Sequence, residues 1–183
     1  MNDDHDPAVQ AAAEMLEEIR AFYPHGIPNL YRTLLANPAV LSGFVALDLK
    51  LEAHGRLTPA ERLLVGLITA READCGYCRA ALSKEARAAG AAEEIVDAIM
   101  GDALPDDGRG RHLALATTRV LALKGRLPRA EIAYFERRGL SETDLLEVIS
   151  VVGLFTIATY SNNLMRTRID PEYRMKVEPA DQG

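Results

Sequence analysis

Residues 57–78 constrain the fold more than any other stretch of the chain. Thr58-Pro59-Ala60-Glu61 reads as a helix start, with a hydroxyl cap, proline at the first position and glutamate at the third. Behind it come Leu63, Leu64, Val65, Leu67 and Ile68, apolar on most of the helix circumference. Such a helix has to be deeply buried. Asp74 is then placed to cap a following helix, with Cys75 in its first position and Cys78 at the end of its first turn.

Helical signals fill the rest of the chain. Pro7 suits the first turn of a helix over 8–22, with Val9, Ala12, Ala13, Leu16 and Ile19 on its apolar side. Residues 23–28 break it, and a short helix is expected over 30–36. Asn37 caps and Pro38 opens the next helix, which Gly55 ends. The cysteine helix runs to about Ala89 and stops at Gly90. Helices over 91–100, 112–124 and 129–138 follow, with 103–110 a surface loop and the expected boundary between two halves. Ser141 opens a long apolar helix with Asp144 in its third position. This start echoes Thr58–Glu61, and Leu63/Leu146, Val65/Val148 and Ile68/Val151 correspond between the two helices. No segment reads as a strand, and the expected fold class is all-α. The expected organisation is a disordered N-terminus over 1–7, a helical domain over 8–170 and a tail over 171–183.

A chain of 183 residues with 48 % hydrophobic residues can bury a sizeable core as one domain or two fused helical halves. The net charge of −6 argues against nucleic acid and anionic membrane as partners. The N-terminus is acidic and lacks an apolar segment, so no signal peptide is expected and the cytoplasm is the default compartment. Residues 148–165 are uncharged, but their strongly apolar part stops near Tyr160, short of the roughly 20 residues a membrane span needs. A core helix or an oligomer interface is the better reading.

Cys75 and Cys78 are the only cysteines. Two thiols cannot make a four-ligand zinc site, and His5, His25, His54 and His112 show no metal spacing with them, so no metal is expected. No cofactor is expected either. In the cytoplasm a close pair is more often redox-active than a structural crosslink. A helix N-terminus stabilises a thiolate, which favours Cys75 as the more acidic thiol, and Arg79 could add positive charge. Two buried core thiols that never meet an oxidant are the alternative.

Leu57-Thr58-Pro59-Ala60-Glu61-Arg62, the apolar helix, Asp74-Cys75-Gly76-Tyr77-Cys78 and the closing Asn162-Asn163-Leu164-Met165-Arg166 together resemble the carboxymuconolactone decarboxylase/AhpD-like superfamily over roughly 30–170. The resemblance implies an all-α, oligomeric fold, a trimer or an assembly of trimers. In its peroxidase branch the residue matching Cys78 attacks a peroxide, the residue matching Cys75 resolves it as a disulfide, and a dithiol such as a lipoyl group restores the pair. That branch carries Cys-x-x-Cys-x-x-x-His and a relay glutamate; the matching positions here hold Leu82 and Leu63. Two leucines predict a drier pocket and less acidic thiols. Glu61, Glu72 or Glu85 could substitute in the relay, as could His54 or His112 if folding brings it close. Glu85 sits two turns beyond Cys78 on one face. The other readings are a scaffold or small-ligand binder that has lost the chemistry, and the decarboxylase branch, which does not depend on a cysteine pair.

Overall fold

The computed structural model describes residues 7–23, 26–106 and 108–174. Residues 1–6 of the expected disordered N-terminus, Pro24 and His25 of the expected break, Asp107 and the tail from 175 lie outside them, as does His5. Among the described residues there are nine α-helices and no strand: α1 Pro7–Phe22, α2 Asn29–Leu34, α3 Pro38–His54, α4 Pro59–Glu72, α5 Gly76–Ala88, α6 Glu93–Met100, α7 Gly108–Leu123, α8 Arg129–Glu136 and α9 Glu142–Met165. A 3-10 turn, Pro171–Tyr173, follows α9.

The stretch that dominates the sequence also sits at the centre of the fold. Helix α4 packs against α5, α6, α7 and α9. Its residues 64–70 are buried without interruption, which is what an apolar circumference requires. Thr58 and Glu61 form the expected capping box, each side chain bonding the other's backbone N–H. Gly66 lets α9 come close: a Cβ there would lie 2.5 Å from the Phe155 ring.

Helix α9 begins with the second capping box, Ser141 with Asp144. The two echoing helices pack on each other. Val65 with Val148 and Ile68 with Val151 are all buried, but Leu146, the counterpart of half-buried Leu63, is 62 % exposed. Two carboxylates near the start of α9 hold the α3–α4 connection. Glu147 Oε2 accepts the Arg56 N–H at 2.6 Å, Glu147 Oε1 accepts the Leu57 N–H at 3.2 Å, and Asp144 Oδ1 accepts from Arg56 Nε at 2.8 Å. Loop N–H groups that packing takes from water thereby keep partners.

By length and composition α9 is the one helix, among the described residues, that could cross a membrane. Val148, Val151, Leu154 and Ala158 instead bury one face of it in the core. Its opposite face leaves Leu146, Ile149, Ile157, Tyr160 and Leu164 exposed.

Two local expectations change. The first turn of α7 lies inside the expected 103–110 loop, starting at Gly108 with φ +73°. Asp74 does not cap α5. It takes a left-handed conformation, φ +48°, while the Cys75 N–H reaches back to the Ala70 carbonyl at 2.9 Å. That is the helix-ending turn of α4, and Asp74 is spent on it. Cys75 becomes the cap of α5 instead.

Candidate active site

The cap role gives Cys75 its electrostatics. Its Sγ accepts the Cys78 N–H at 3.4 Å across the first turn of α5. The Cys78 thiol donates to it as well, and the Tyr77 N–H adds to the same field. These bonds outweigh burial and hold Cys75 down at about 7. The same arrangement pushes Cys78 well above the ordinary thiol range: first its bond to Cys75, then burial, then the charge on Cys75. The two thiols are perturbed together, Cys75 downward and Cys78 upward. Both are free thiols, 1 % and 3 % exposed. The lowering of Cys75 comes first from the Cys78 thiol, and the backbone N–H groups at the helix start add to it. Burial raises both thiols, but for Cys75 the hydrogen bonds outweigh it. Arg79 plays no part in this field, because its guanidinium donates to the Met100 carbonyl at 2.7 Å.

Access distinguishes the two sulfurs in the opposite sense. A cavity of about 250 Å³ lies between α2, α3, α4, α5 and α9, and Cys78 lines it while Cys75 does not. Leu63 and Leu82 line the same cavity. The two positions where the resemblance calls for glutamate and histidine thus face the space beside Cys78. The other walls mix aliphatic side chains with aromatic rings, Tyr23, Tyr31, Phe44 and Phe155 among them. Three carboxylates, Asp48, Glu52 and Glu85, share the lining with one guanidinium, Arg62.

Glu85 is the one relay candidate that the fold brings to this cavity. Its Oε1 accepts from the Tyr173 hydroxyl at 2.7 Å. Burial raises its carboxyl above the usual carboxylate range, and the charge of Asp48 adds to this while the Tyr173 bond opposes it. Asp48 is raised too, by burial first, with Arg62 opposing.

The other candidates are engaged elsewhere. Glu61 closes the α4 capping box and pairs with Arg109. Glu72 pairs with Arg71 at 2.8 Å. His54 is exposed in the last turn of α3. His112 lies edge-on to Tyr134, held below its ordinary value by burial with Arg138 and Arg111 nearby. None of these four lines the cavity. No group of three metal-binding side chains occurs among the described residues.

Three further residues belong to the site. Asn162 Nδ2 donates to Cys78 Sγ at 3.3 Å. Its place could be read from spacing, since Leu154, Ala158 and Asn162 recur every fourth residue on the buried face of α9. Tyr77, between the two cysteines, donates to Asp170 Oδ2 at 2.6 Å and accepts the Leu30 N–H at 3.1 Å. Asp170 also accepts the Asn29 N–H at 3.1 Å. The segment after α9 is in this way strapped across α2 and the start of α5, delivering Tyr173 to Glu85. Asp170 and Tyr173 carry no sequence signal of that role.

Residues 38–117 match the Carboxymuconolactone decarboxylase family. No curated protein matches the chain. Among solved structures, the AhpD-core, peroxidase-related protein from Ralstonia eutropha JMP134 superposes with a TM-score of 0.80 at 18 % identity, covering 90 % of this chain and 87 % of its own. A peroxidase-related protein from Silicibacter sp. TM1040 gives 0.73 at 19 % identity, covering 92 % and 89 %. The apo debrominase Bmp8 gives 0.67 at 17 % identity, covering 95 % and 92 %. At these identities the superpositions speak for the fold alone. The chain thus shares the all-α fold of the AhpD-core structures, and its residues 38–117 match the Carboxymuconolactone decarboxylase family.

Proposed function

We propose that the protein is a thiol-dependent oxidoreductase that reduces an organic hydroperoxide at Cys78 and stores the oxidising equivalents as a Cys75–Cys78 disulfide. One observation carries this reading: the acidic sulfur and the accessible sulfur are different members of a hydrogen-bonded pair. Cys75, once ionised, takes the Cys78 proton. Cys78 then attacks the terminal peroxide oxygen; an S–O bond forms, the O–O bond breaks, and the alkoxide leaves with the proton from Cys75. The Cys75 thiolate next attacks the Cys78 sulfur, forming the S–S bond and expelling hydroxide, which is protonated to water. Two thiols and one hydroperoxide give one disulfide, one alcohol and one water. An external dithiol of lipoyl type would return the pair to the reduced state.

This route needs no imidazole, which answers the leucines at positions 63 and 82. The polar groups of the cavity support the class of substrate. Three carboxylates against one guanidinium make a poor site for an anionic lactone, which disfavours the decarboxylase branch. The aliphatic and aromatic walls suit an uncharged apolar substrate. A Cys-to-Ala variant of the debrominase Bmp8 holds 2,3,4-tribromopyrrole, which supports an aromatic occupant of such a cavity. The exposed apolar face of α9 supports self-association, here proposed as a trimer or a multiple of trimers. Paired free thiols suit a reducing compartment such as the cytoplasm. A ligand-binding scaffold without turnover is the second reading, and Leu63 and Leu82 favour it.

The pH dependence of the first oxidation separates the two. Cys75 must be ionised to accept the Cys78 proton, so the rate is expected to rise with pH through about 7 and then level off. The chain has no tryptophan, so residual thiol is best counted with a chromogenic disulfide after quenching. A rate that rises only above about 8.5, the ordinary thiol value, would contradict the proton-transfer route. Absence of oxidation at any pH would favour the scaffold.

A further inference from the structure

Among the described residues, Asn162 Oδ1 is the one buried side-chain nitrogen or oxygen with no hydrogen-bond partner. Asn162 is 3 % exposed and lies on the face of α9 that otherwise presents Leu154 and Ala158 to the core. A buried unpaired carbonyl is costly, and an apolar residue of similar size would carry no such cost here. The same amide places its Nδ2 on Cys78 Sγ at 3.3 Å.

We infer that Asn162 is a catalytic residue of the thiol chemistry: Nδ2–H stabilises the Cys78 thiolate, and Oδ1 accepts the O–H of the Cys78 sulfenic acid. The inference rests on the hydroperoxide reading above. A thiolate can only accept hydrogen bonds, and Nδ2–H is a donor already in place. Attack on R–O–O–H forms the S–O bond and breaks the O–O bond; sulfur loses two electrons, the peroxide gains them, and the proton from Cys75 goes to the alkoxide. The product Cys78–S–O–H carries a donor that neither thiol nor thiolate had on oxygen. It needs an acceptor in a buried site. The side chain already bonded to Sγ holds one with both lone pairs free. Leu82 and Leu63 offer nothing polar beside Cys78, and the Asn162 amide is the side chain of α9 already bonded to its sulfur.

The test uses the full chain with Cys75→Ser, which keeps a good helix cap and prevents disulfide formation. In that background, Cys78 alkylation is followed against pH by peptide mass spectrometry, without peroxide. Asn162→Ala is expected to slow it about tenfold near pH 7, the effect of removing one hydrogen bond to a charged acceptor. Asn162→Asp, nearly the same shape and the fallback if the alanine variant does not fold, is expected to slow it at least as much, because a carboxylate opposes the thiolate. One equivalent of cumene hydroperoxide is then added, and the sulfenic acid is trapped with dimedone. Asn162→Ala is expected to shorten its lifetime about tenfold, whereas Asn162→Asp keeps an acceptor and stays within about threefold of the parent. Alkylation profiles of both variants within about twofold of the parent would overturn the assignment. If the parent's Cys78 is never oxidised, the hydroperoxide reading fails and the acceptor half falls with it, while the alkylation series still decides the donor half.

Discussion

Cys78→Ser is expected to lower the rate of hydroperoxide consumption at least about a thousandfold, because a hydroxyl in that place is neither ionised nor comparably nucleophilic. Cys78 is the sulfur on the cavity, so no other thiol meets the substrate. Cys75 keeps its backbone donors at the start of α5 but stays 1 % exposed. Cys75→Ser should behave differently. It still undergoes one oxidation, more slowly because the proton acceptor is gone, and stops at a sulfenic acid on Cys78. Single-turnover thiol counting on both variants checks the assignment. Cys78→Ser retaining a tenth or more of the rate would make Cys75 the attacking sulfur and remove the argument from access.

Asp170→Ala is expected to destabilise the fold by about 3 kcal/mol, since it leaves a buried tyrosine hydroxyl and a backbone N–H without their charged acceptor. The carboxylate accepts from Tyr77 Oη at 2.6 Å and from the Asn29 N–H at 3.1 Å. It is also 6 % exposed, so water cannot readily replace it. For a chain of this size the loss corresponds to a melting temperature lower by roughly 6–12 °C. Asp170→Asn keeps an acceptor and should cost clearly less. Asp170 ties the segment after α9 to the tyrosine between the two cysteines, so the alanine variant should also loosen Tyr173 from Glu85. Equal melting temperatures for the alanine variant and the parent would show that the strap contributes nothing to the fold.

What could be read from the sequence was local. The caps at Asn37, Thr58 and Ser141 follow from short-range hydrogen-bonding chemistry and stand where expected. The burial of α4 follows from its apolar circumference, and the all-α class from the want of any alternating run. Asp74 shows where local chemistry leaves two answers. The same residue type caps a helix start and tolerates the left-handed turn that ends one. The contact of Cys75 N–H with Ala70 decided it, and the consequence is that Cys75 itself caps α5. Arg79 was a reasonable source of charge by spacing, but α6 offered its guanidinium a carbonyl. Glu85 could be placed on the face of Cys78 because both lie on α5. Asp48 and Tyr173 come to the site from other elements, and no spacing rule joins them to Cys78; spacing puts Asn162 on the buried face of α9 but does not pair it with Cys78.

The central claim is that a hydroperoxide converts this pair into an intramolecular disulfide. The most direct measurement is peptide mapping of the fully reduced protein after one equivalent of cumene hydroperoxide, with the alcohol quantified alongside. The account predicts one Cys75–Cys78 disulfide within a single chain for each alcohol formed. Both thiols remaining free for alkylation, with the hydroperoxide unconsumed, would contradict it.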